Sequence, residues 1–356
     1  KYLVKTSRKR RKMTQIIFAT GNAGKMREIK EIMSDFLFIT HDNHDPYFNL
    51  ASEEYLLRHK DGYYIYLWVN SPAVIVGINQ NTIEEVNLGY TEDRGIKVVR
   101  RQTGGGAVYH DLDNVCYTVI APYDESADNY RKFTAPVIEY LNSLGVKAEF
   151  SGRNDITAEG KKISGNAQTV VGNRIMHHGT LLFHTDMSVL ASALKPNKLK
   201  MESKGIKSVR ARVGNIYDFL PEKTSAAEFL KGLSAYFKKS CEEYVFSEED
   251  IAAINALVQE KYSKYEWNVG RSPKAENTFE ARFDFGTFRM DFDTVDGLMK
   301  NVRITGDFFS LKPTEELESK LEGIKFCKAE FADATKNLSE YIVKGDGASL
   351  TERVFS

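Results

Sequence analysis

Three consecutive glycines, Gly104 to Gly106, follow two arginines and precede a short apolar run in the stretch RRQTGGGAVYHD. Because glycine has no Cβ, the backbone N–H groups of such a loop can approach an anion closely, and Arg100 and Arg101 would neutralise its charge. A glycine-rich hairpin without any ligand has the same pattern. The loop alone therefore leaves both interpretations open.

Two further segments carry unusual combinations of charged residues. Lys161 and Lys162 precede a Ser-Gly-Asn turn in SGRNDITAEGKKISGNAQ, and His177 and His178 are adjacent in MHHGTLLFHTD. Surface lysines are usually only solvated, so the lysine pair by itself is a weak signal. Neighbouring strand residues face opposite sides, so at most one of the two histidines points into a given site. This argues against a dinuclear or catalytic histidine pair.

The composition is that of an ordinary globular protein of about two domains. It has 356 residues, 42% of them apolar and 28% charged, and a formal charge of zero. This balance gives no reason to expect nucleic acid or a membrane as a partner, and no apolar run approaches the roughly 20 residues of a membrane-spanning helix. The three scattered cysteines, Cys116, Cys241 and Cys327, argue against a disulfide framework and favour a cytoplasmic location.

Residues 1–35 are predicted to be an N-terminal extension without an active site of its own. The basic block KTSRKRRK is expected to be a solvated tail. From Met13 to Met33 an apolar strand, a Gly/Asn turn and a charged amphipathic helix follow one another. This order, with Thr20, Asn22 and Lys25, resembles the opening of the Ham1-type inosine triphosphate pyrophosphatases, but only over a short fragment.

The chain after this extension alternates predicted strands and helices. Asp45 is a suitable N-cap, and Pro46 suits the first position, of one such helix. A helical stretch from Ser247 to Tyr265 precedes the alternating strand FEARFDFGTFRMDFD, a partner strand and two helices. We therefore expect an α+β protein, with a large mixed-sheet domain at 36–245 and a small α+β module with its connecting helix at 246–356.

Taken together, in this order and spacing, the three segments resemble the lipoate–protein ligase family, within the wider biotin/lipoate ligase group. RRQTGGGAVYHDLDNVCYT is similar to the substrate loop of that family, and GRNDI with KKISGNAQ is similar to its catalytic-lysine segment. HHGTLLFHTDMSVLASAL and KGIKSVRARVGNI follow in the same order, and EWNVGRSPK opens a stretch similar to the family's C-terminal accessory domain.

The resemblance implies an activity and its partners. The family uses ATP to convert lipoate to lipoyl-AMP, and it then transfers the lipoyl group to a lysine of an acceptor. The acceptors are lipoyl domains of 2-oxoacid dehydrogenase E2 subunits or the glycine-cleavage H protein. The acceptor lysine is the nucleophile of the second step, so the enzyme needs no covalent residue of its own. The accessory module is implied to move against the large domain once lipoyl-AMP has formed.

The resemblance also implies a nucleotide site. Lys162 matches the family's essential lysine, whose ammonium would bridge the lipoate carboxylate and the α-phosphate of ATP. Arg101 matches a nucleotide-contacting arginine. The backbone stretch expected to line the nucleotide consists of Gly106, Ala107, Val108 and Tyr109.

Lipoate and magnesium complete the implied site. Arg100, Thr103 and His178 lie in segments expected to be near the lipoyl group, together with Lys162. Asp155 is a candidate ligand of Mg²⁺, which prefers carboxylate and phosphate oxygens. A role of Asp155 in forming a turn is an equally good interpretation.

Alternative functions are a lipoyl or octanoyl transferase of the same fold and a catalytically inactive lipoate-binding homologue. A cysteine-dependent transferase needs an acyl-thioester nucleophile, but Cys116 lies in an apolar run and the other two cysteines lie outside the three segments. Intact Arg101 and Lys162 argue against an inactive homologue. A biotin ligase usually has a different arginine-rich pattern in its glycine loop. Lipoate-dependent release of pyrophosphate from ATP distinguishes the ligase from all of these.

Overall fold

The computed structural model describes residues 33–195, 212–270, 276–295 and 297–355. Almost all of the predicted extension, including the basic block and the Ham1-like strand and turn, lies outside the described residues. Most of KGIKSVRARVGNI lies outside them as well. In the described parts of the chain, no helix combines the length and the apolar character that crossing a bilayer would require.

Eleven strands of the large domain are described, and they form two sheets. They are β1 (Phe36–Thr40), β2 (Tyr63–Val69), β3 (Ala73–Val76), β4 (Lys97–Arg100), β5 (Val108–His110), β6 (Asn114–Pro122), β7 (Ala148–Ser151), β8 (Asp155–Ala158), β9 (Lys161–Val171), β10 (Arg174–Leu182) and β11 (Glu242–Glu243). Eight form one sheet in the order β11-β1-β2-β6-β10-β9-β8-β7, and β4-β3-β5 form the other. β1 is parallel to both of its neighbours and the remaining pairs of the large sheet are antiparallel, so the predicted mixed sheet is confirmed.

The helices of this part of the chain connect and cover the strands. They are α1 (Pro46–His59), α2 (Thr82–Glu85), α3 (Leu88–Asp93), α4 (Asn129–Ser143), α5 (Met187–Ala193), α6 (Ile216–Phe219), α7 (Ala226–Lys238), α8 (Glu248–Leu257), a π-helix (Val258–Tyr262) and α9 (Tyr265–Asn268). α1 begins as predicted, because the Asp45 side chain accepts a hydrogen bond from Tyr47 N at 2.8 Å and Pro46 occupies the first turn.

Helices cover both faces of the large sheet, and this explains why most residues of β6 are apolar. Tyr117 and Val119 point into a buried cluster shared with α4 and α7. Cys116 and Ile120 point into a second cluster shared with α1 and α8. Successive strand residues face opposite sides, so a strand buried on both faces needs apolar residues at most positions. The buried polar Thr118 is satisfied by hydrogen bonds to other buried side chains.

The C-terminal module consists of an antiparallel sheet with helices packed against it. Its strands are β12 (Asn277–Phe283), β13 (Gly286–Val295) and β14 (Leu298–Gly306), and its helices are α10 (Thr314–Leu321), α11 (Lys328–Thr335) and α12 (Gly347–Val354). The stretch FEARFDFGTFRMDFD is not the single strand that its alternation predicts, but a hairpin that turns at Asp284 and Phe285. Gly286 has a φ of +136°, a conformation that other residues rarely adopt, and this permits the turn.

The connecting segment, which consists of α8, the π-helix and α9, packs on the large domain. Ile254 and Tyr262 belong to the same buried cluster as the residues of α1. Lys261 Nζ lies 2.8 Å from Glu54 Oε2, and Tyr262 Oη donates to the same carboxylate at 2.8 Å. The separate core of the module has its members between Phe279 and Phe355. Packing thus groups the connecting segment with the large domain, and the boundary at 245/246 stays a prediction.

Candidate active site

A cavity of about 360 Å³ lies between the glycine loop, the large sheet and the C-terminal module. One part of its wall is apolar and consists of Leu50, Trp68, Ile75, Val108 and Cys116. Another part carries polar and charged side chains, which come from all three segments that the sequence singles out and from the C-terminal module. A wall of this kind suits a ligand with an apolar chain and an anionic group.

Arg101 lies under the glycine loop and holds its shape. Its Nη2 donates to the carbonyls of Gly104 and Gly106 at 2.7 and 3.0 Å, and its Nε donates to Thr103 Oγ1 at 2.9 Å. Burial lowers the pKa of the guanidinium to about 10, while Glu53 acts in the opposite direction. Arg101 therefore stays charged at neutral pH and contributes positive charge to the cavity wall.

Arg100, the neighbouring arginine, is not in the cavity wall. Its Nη1 donates to the carbonyls of Gly77, Ile78 and Gln80 at 3.0, 3.0 and 2.6 Å, and its Nε donates to the Trp267 carbonyl at 2.9 Å. The two arginines separate because adjacent strand residues face opposite sides. The structure thus corrects the expectation that Arg100 lies near the lipoyl group, since this side chain instead anchors the connecting segment.

The same alternation divides the stretch that is predicted to line the nucleotide. Gly106 and Val108 line the cavity. The side chains of Ala107 and Tyr109 instead pack in an apolar cluster with Val74 and Val76. A contact between either of these two residues and a nucleotide in the cavity would have to come from the backbone, which is the kind of contact that the resemblance implies.

Lys162 lines the cavity with its ammonium Nζ 2.7 Å from Asp155 Oδ1. The two side chains meet because β8 and β9 are neighbouring antiparallel strands. They retain exposed fractions of 36% and 34%, so the ion pair remains accessible to a ligand. Lys161 does not line the cavity, and its stem lies beside Gly214, where an added Cβ would be 3.2 Å from Lys161 Cδ.

Asp155 is the predicted magnesium ligand, and the structure shows what kind of metal site it could belong to. The described residues contain no cluster of three or more His, Cys, Asp or Glu side chains that could hold a metal ion. Mg²⁺ usually binds one or two carboxylates together with phosphate oxygens and waters. Asp155 therefore fits a magnesium site that is shared with a bound nucleotide, and does not fit a site made by protein groups alone.

A buried chain of hydrogen bonds connects Glu53 to the glycine loop. His178 Nδ1 lies 2.9 Å from Glu53 Oε1, and His178 Nε2 lies 2.8 Å from Thr103 Oγ1. Because Thr103 Oγ1 accepts from Arg101 Nε, its hydroxyl can donate to His178, and the proton of a neutral ring is then on Nδ1. His178 lines the cavity, whereas Thr103 is fully buried and is not part of the cavity wall, so a lipoyl contact of either residue stays a prediction.

The two adjacent histidines face opposite sides of β10, as the alternation of a strand predicts. His177 is fully buried on the other face, where its Nδ1 lies 2.9 Å from Gln168 Nε2. Burial lowers the pKa of His177 to about 3, with His178 adding to the effect, so this ring is neutral at neutral pH. The two rings therefore do not form a catalytic pair.

Cys116 lines the cavity, but it is not prepared to act as a nucleophile. Its Sγ lies 3.6 Å from His110 Nδ1, which is near enough for a thiol–imidazole contact. Burial raises the pKa of the thiol well above its usual value, and Glu53 adds to this. Burial also lowers the pKa of His110 to about 3, with Arg101 as the next cause. Both groups are neutral at neutral pH, so the thiolate that a thioester mechanism needs is disfavoured.

The C-terminal module covers the cavity at the glycine loop. Gly105 N donates to the carbonyl of Phe308 at 3.3 Å. An added Cβ at Gly104 would lie 2.4 Å from that same carbonyl oxygen, so the close approach requires glycine at this position. The guanidinium of Arg153 lies 4.4 Å from the centroid of the Phe309 ring. The glycine loop therefore contacts the module as well as the cavity.

Models of known protein families match the chain in two consecutive parts. Residues 45–238 match the lipoyl protein ligase A/B catalytic domain, and residues 272–352 match the bacterial lipoate protein ligase C-terminus. The chain belongs to the lipoate–protein ligase family. The predicted combination of a ligase catalytic domain with an accessory domain is thereby confirmed.

Two curated lipoate–protein ligases match over most of their length. The chain is 44% identical over 316 residues to lipoate-protein ligase LplJ of Bacillus subtilis, a match that covers 86% of this chain and 96% of that protein. It is 43% identical over 311 residues to lipoate–protein ligase 1 of Staphylococcus aureus, which covers 85% and 94%.

Solved structures of lipoate–protein ligases share the fold. LipL1 of Plasmodium falciparum, in complex with lipoate, has a TM-score of 0.71 at 26% identity and covers 90% of this chain and 98% of its own. The bipartite ligase of Thermoplasma acidophilum, studied with its E2 lipoyl domain, has a TM-score of 0.60 at 30% identity and covers 68% and 98%. A lipoate-protein ligase A bound with ATP has a TM-score of 0.57 at 29% identity and covers 66% and 99%.

The short resemblance of Met13 to Met33 to Ham1-type pyrophosphatases is not borne out. Both family models match later parts of the chain, at 45–238 and 272–352. A motif of about twenty residues is too short to indicate a family when the rest of the chain follows another one.

Sequence reasoning missed several residues of this lipoate–protein ligase site. Glu53 has a visible signal, since it is an acidic residue among the apolar positions of NLASEEYLL. Arg153 lies within the segment GRNDI that the sequence singles out, although the sequence predicts no role for it. Trp68 has no comparable local signal, because its place in the cavity wall depends on how distant strands pair. The residues that the module contributes could not be found without knowing how the module packs.

Proposed function

We propose that this protein is an ATP-dependent lipoate–protein ligase, which forms lipoyl-AMP and pyrophosphate and then transfers the lipoyl group to an acceptor lysine. One observation carries the proposal: a single cavity joins an apolar wall, the glycine loop and the Lys162–Asp155 pair. The reaction needs all three, because an aliphatic acid and a nucleotide must meet next to a cation.

Lys162 is the proposed catalytic residue of the first step. The lipoate carboxylate attacks the α-phosphate of ATP, so two anions have to approach each other, and negative charge develops as pyrophosphate leaves. An ammonium placed between them stabilises this arrangement most where water is excluded. The ion pair with Asp155 would hold Nζ in place until substrate phosphates replace the carboxylate as its partner.

The apolar wall is the proposed site of the lipoyl chain. Leu50, Trp68 and Ile75 would pack against its hydrocarbon part, and His178 would lie beside it, held by Glu53. The structural neighbour that is in complex with lipoate shares the fold over 90% of this chain, which supports this assignment.

The glycine loop is the proposed site of ATP. Gly106 and Val108 would line the nucleotide, with the charge of Arg101 beneath the loop, and the neighbour that contains ATP supports this. Asp155 would hold Mg²⁺ together with phosphate oxygens, and the ion would neutralise part of the phosphate charge when bound.

Acceptor proteins are the proposed partners in the second step. The amine of the acceptor lysine would attack the carbonyl of lipoyl-AMP, with AMP as the leaving group. The Thermoplasma neighbour is described with an E2 lipoyl domain, so we propose E2 lipoyl domains, and the related glycine-cleavage H protein, as acceptors. The neutral state of Cys116 speaks against a thioester route. Its buried free thiol suits the cytoplasm, which is the location we propose.

We further propose that the catalytic domain includes the connecting segment and ends near Gly270, because Tyr262 belongs to its core. The extension before Met33 would be dispensable for ligase activity, because both family models match parts of the chain that follow it. Met33 itself should be kept in a shortened chain, since it is 3% exposed and its carbonyl accepts from Cys241 Sγ at 3.5 Å.

Incubation of the full chain with ATP, Mg²⁺ and lipoate tests the proposal. We expect lipoate-dependent release of pyrophosphate, and a mass increase of one lipoyl group on an E2 lipoyl domain or an H protein. A lipoyl mass on the acceptor that forms without ATP from another lipoylated protein would favour the transferase instead. Binding of lipoate without pyrophosphate release would favour the inactive homologue.

A further inference from the structure

The C-terminal module supplies part of the cavity wall. Arg282, Asp284, Asp307 and Phe309 all line the cavity, although none of the three segments that predict the site includes them. Their position follows from the contact between the module and the glycine loop, which brings Phe308 and Phe309 against Gly105. Each substrate in the cavity would therefore be held by two domains.

Arg282 is the cation of this part of the wall. It lies near the end of β12, opposite Thr287 on β13. Its Nη1 donates to Thr287 Oγ1 at 2.8 Å and to the two carboxylate oxygens of Asp307 at 3.0 and 2.9 Å. Asp307 is two residues before Phe309, so this ion pair is fixed to the segment that contacts the glycine loop.

The guanidinium of Arg282 still has donors to offer. Across the described ranges, every hydrogen bond of this side chain uses Nη1, which leaves Nε and Nη2 for a ligand. The side chain is 37% exposed. A planar pair of N–H groups of this kind matches two oxygens of a phosphate group.

The other lysine and arginine side chains of the cavity wall have partners of their own. Lys162 pairs with Asp155, and Arg101 donates to the carbonyls of the glycine loop. The guanidinium of Arg153 lies 4.4 Å from the centroid of an aromatic ring of the module. The triphosphate of ATP carries several negative charges, and only its α-phosphate has to lie beside Lys162. A second cation is therefore needed for the phosphates that leave, and Arg282 is suitably placed in the same wall.

We propose that Arg282 binds the β- and γ-phosphates of ATP, so that the accessory module takes part directly in the first step. This rests on the proposed ligase function. In that step a bond forms between a lipoate carboxylate oxygen and the α-phosphorus, and the bond from the α-phosphorus to the oxygen of the β-phosphate breaks. The electron pair remains on the departing pyrophosphate, whose charge Arg282 stabilises through Nε and Nη2 while Nη1 stays on Asp307.

Arg282→Gln in the full chain tests the proposal, with Arg303→Gln as a matched control. Arg303 is on β14 of the same sheet, and its Nη1 lies 2.8 Å from Glu318 Oε2, in an ion pair that does not line the cavity. Two activities are measured for each variant. One is lipoate-dependent exchange of pyrophosphate into ATP, and the other is transfer from presynthesised lipoyl-AMP to an E2 lipoyl domain.

We expect Arg282→Gln to raise the KM for ATP and for pyrophosphate about tenfold or more, and to leave transfer from lipoyl-AMP within about twofold. Arg303→Gln should leave both activities within about twofold, and Arg282→Lys should give an intermediate KM because it keeps the charge without the planar donors. The alternative role of Arg282 is purely structural, in which its side chain only stabilises the β12–β13 hairpin. It predicts a lower melting temperature and an equal loss of both activities in Arg282→Gln, and that result would overturn the proposal.

The wild-type chain separates this inference from the proposed function. If the wild type shows no lipoate-dependent exchange, the ligase function itself fails. If the wild type exchanges pyrophosphate and Arg282→Gln does so with unchanged KM values, the ligase function stands and the phosphate role of Arg282 is wrong.

Discussion

Replacing Lys162 with alanine should affect catalysis far more than stability. The side chain and its partner Asp155 are 36% and 34% exposed, so their ion pair is screened by water. Loss of such a pair changes the free energy of unfolding by less than about 1 kcal/mol. Loss of a group that stabilises charge in the transition state costs about 3–4 kcal/mol, or a factor of about 10² to 10³ in rate.

Lys161→Ala is the matched control for this prediction. Lys161 precedes Lys162 on β9 and has the same charge and a similar setting in the sequence, but it does not line the cavity. Lipoate-dependent pyrophosphate exchange and thermal unfolding are measured for both variants. We expect a loss of about 10²-fold or more for Lys162→Ala and less than about threefold for Lys161→Ala, with melting temperatures close to that of the wild type for both.

Two results would refute the reasoning about Lys162. Equal losses of exchange in the two variants would show that the position of Nζ in the cavity is irrelevant. A large fall in the melting temperature of Lys162→Ala alone would show that the Lys162–Asp155 pair stabilises the fold, and the loss of activity would then have a structural cause.

Three further predictions concern other parts of the chain. Cys116→Ala should keep lipoyl transfer within about threefold because the buried thiol is not ionised, and a lipoyl thioester detected on Cys116 by mass spectrometry would contradict this. Burial raises the pKa of Asp250, but hydrogen bonds from Lys60 and two tyrosines outweigh it and hold the pKa well below its usual value. Its contribution to stability is therefore complete above the unfolded-state pKa near 4 and declines as the pH falls towards the folded-state pKa, so urea unfolding of Asp250→Asn should lose this acid-side slope. A fragment that ends at Gly270 should unfold cooperatively and transfer lipoyl from lipoyl-AMP. A fragment that ends before α8 should be much less stable because it lacks Tyr262. Equal melting temperatures of the two fragments would place the domain boundary before α8.

Local features of the sequence determined much of the fold. Asp45 and Pro46 predict the start of α1 because capping depends only on neighbouring residues. The hairpin of β9 and β10 turns at Gly172 and Asn173, and a Gly-Asn pair between two strand-like runs indicates such a turn because a tight turn also depends on neighbouring residues. The opposite directions of His177 and His178 follow from the two-residue repeat of a strand.

Only the tertiary structure decided which of these residues share a site. Glu53 and His178 are 125 positions apart, and no periodicity relates residues at that distance. Arg100 and Arg101 look equivalent in the sequence. In the structure, Arg100 is buried against the connecting segment, whereas Arg101 donates hydrogen bonds to the glycine loop. Arg282 enters the cavity wall because the module packs on Gly105, a contact between two separately folded cores. Local sequence sets the direction of each side chain relative to its own strand or helix, whereas the packing of distant elements decides what that side chain meets.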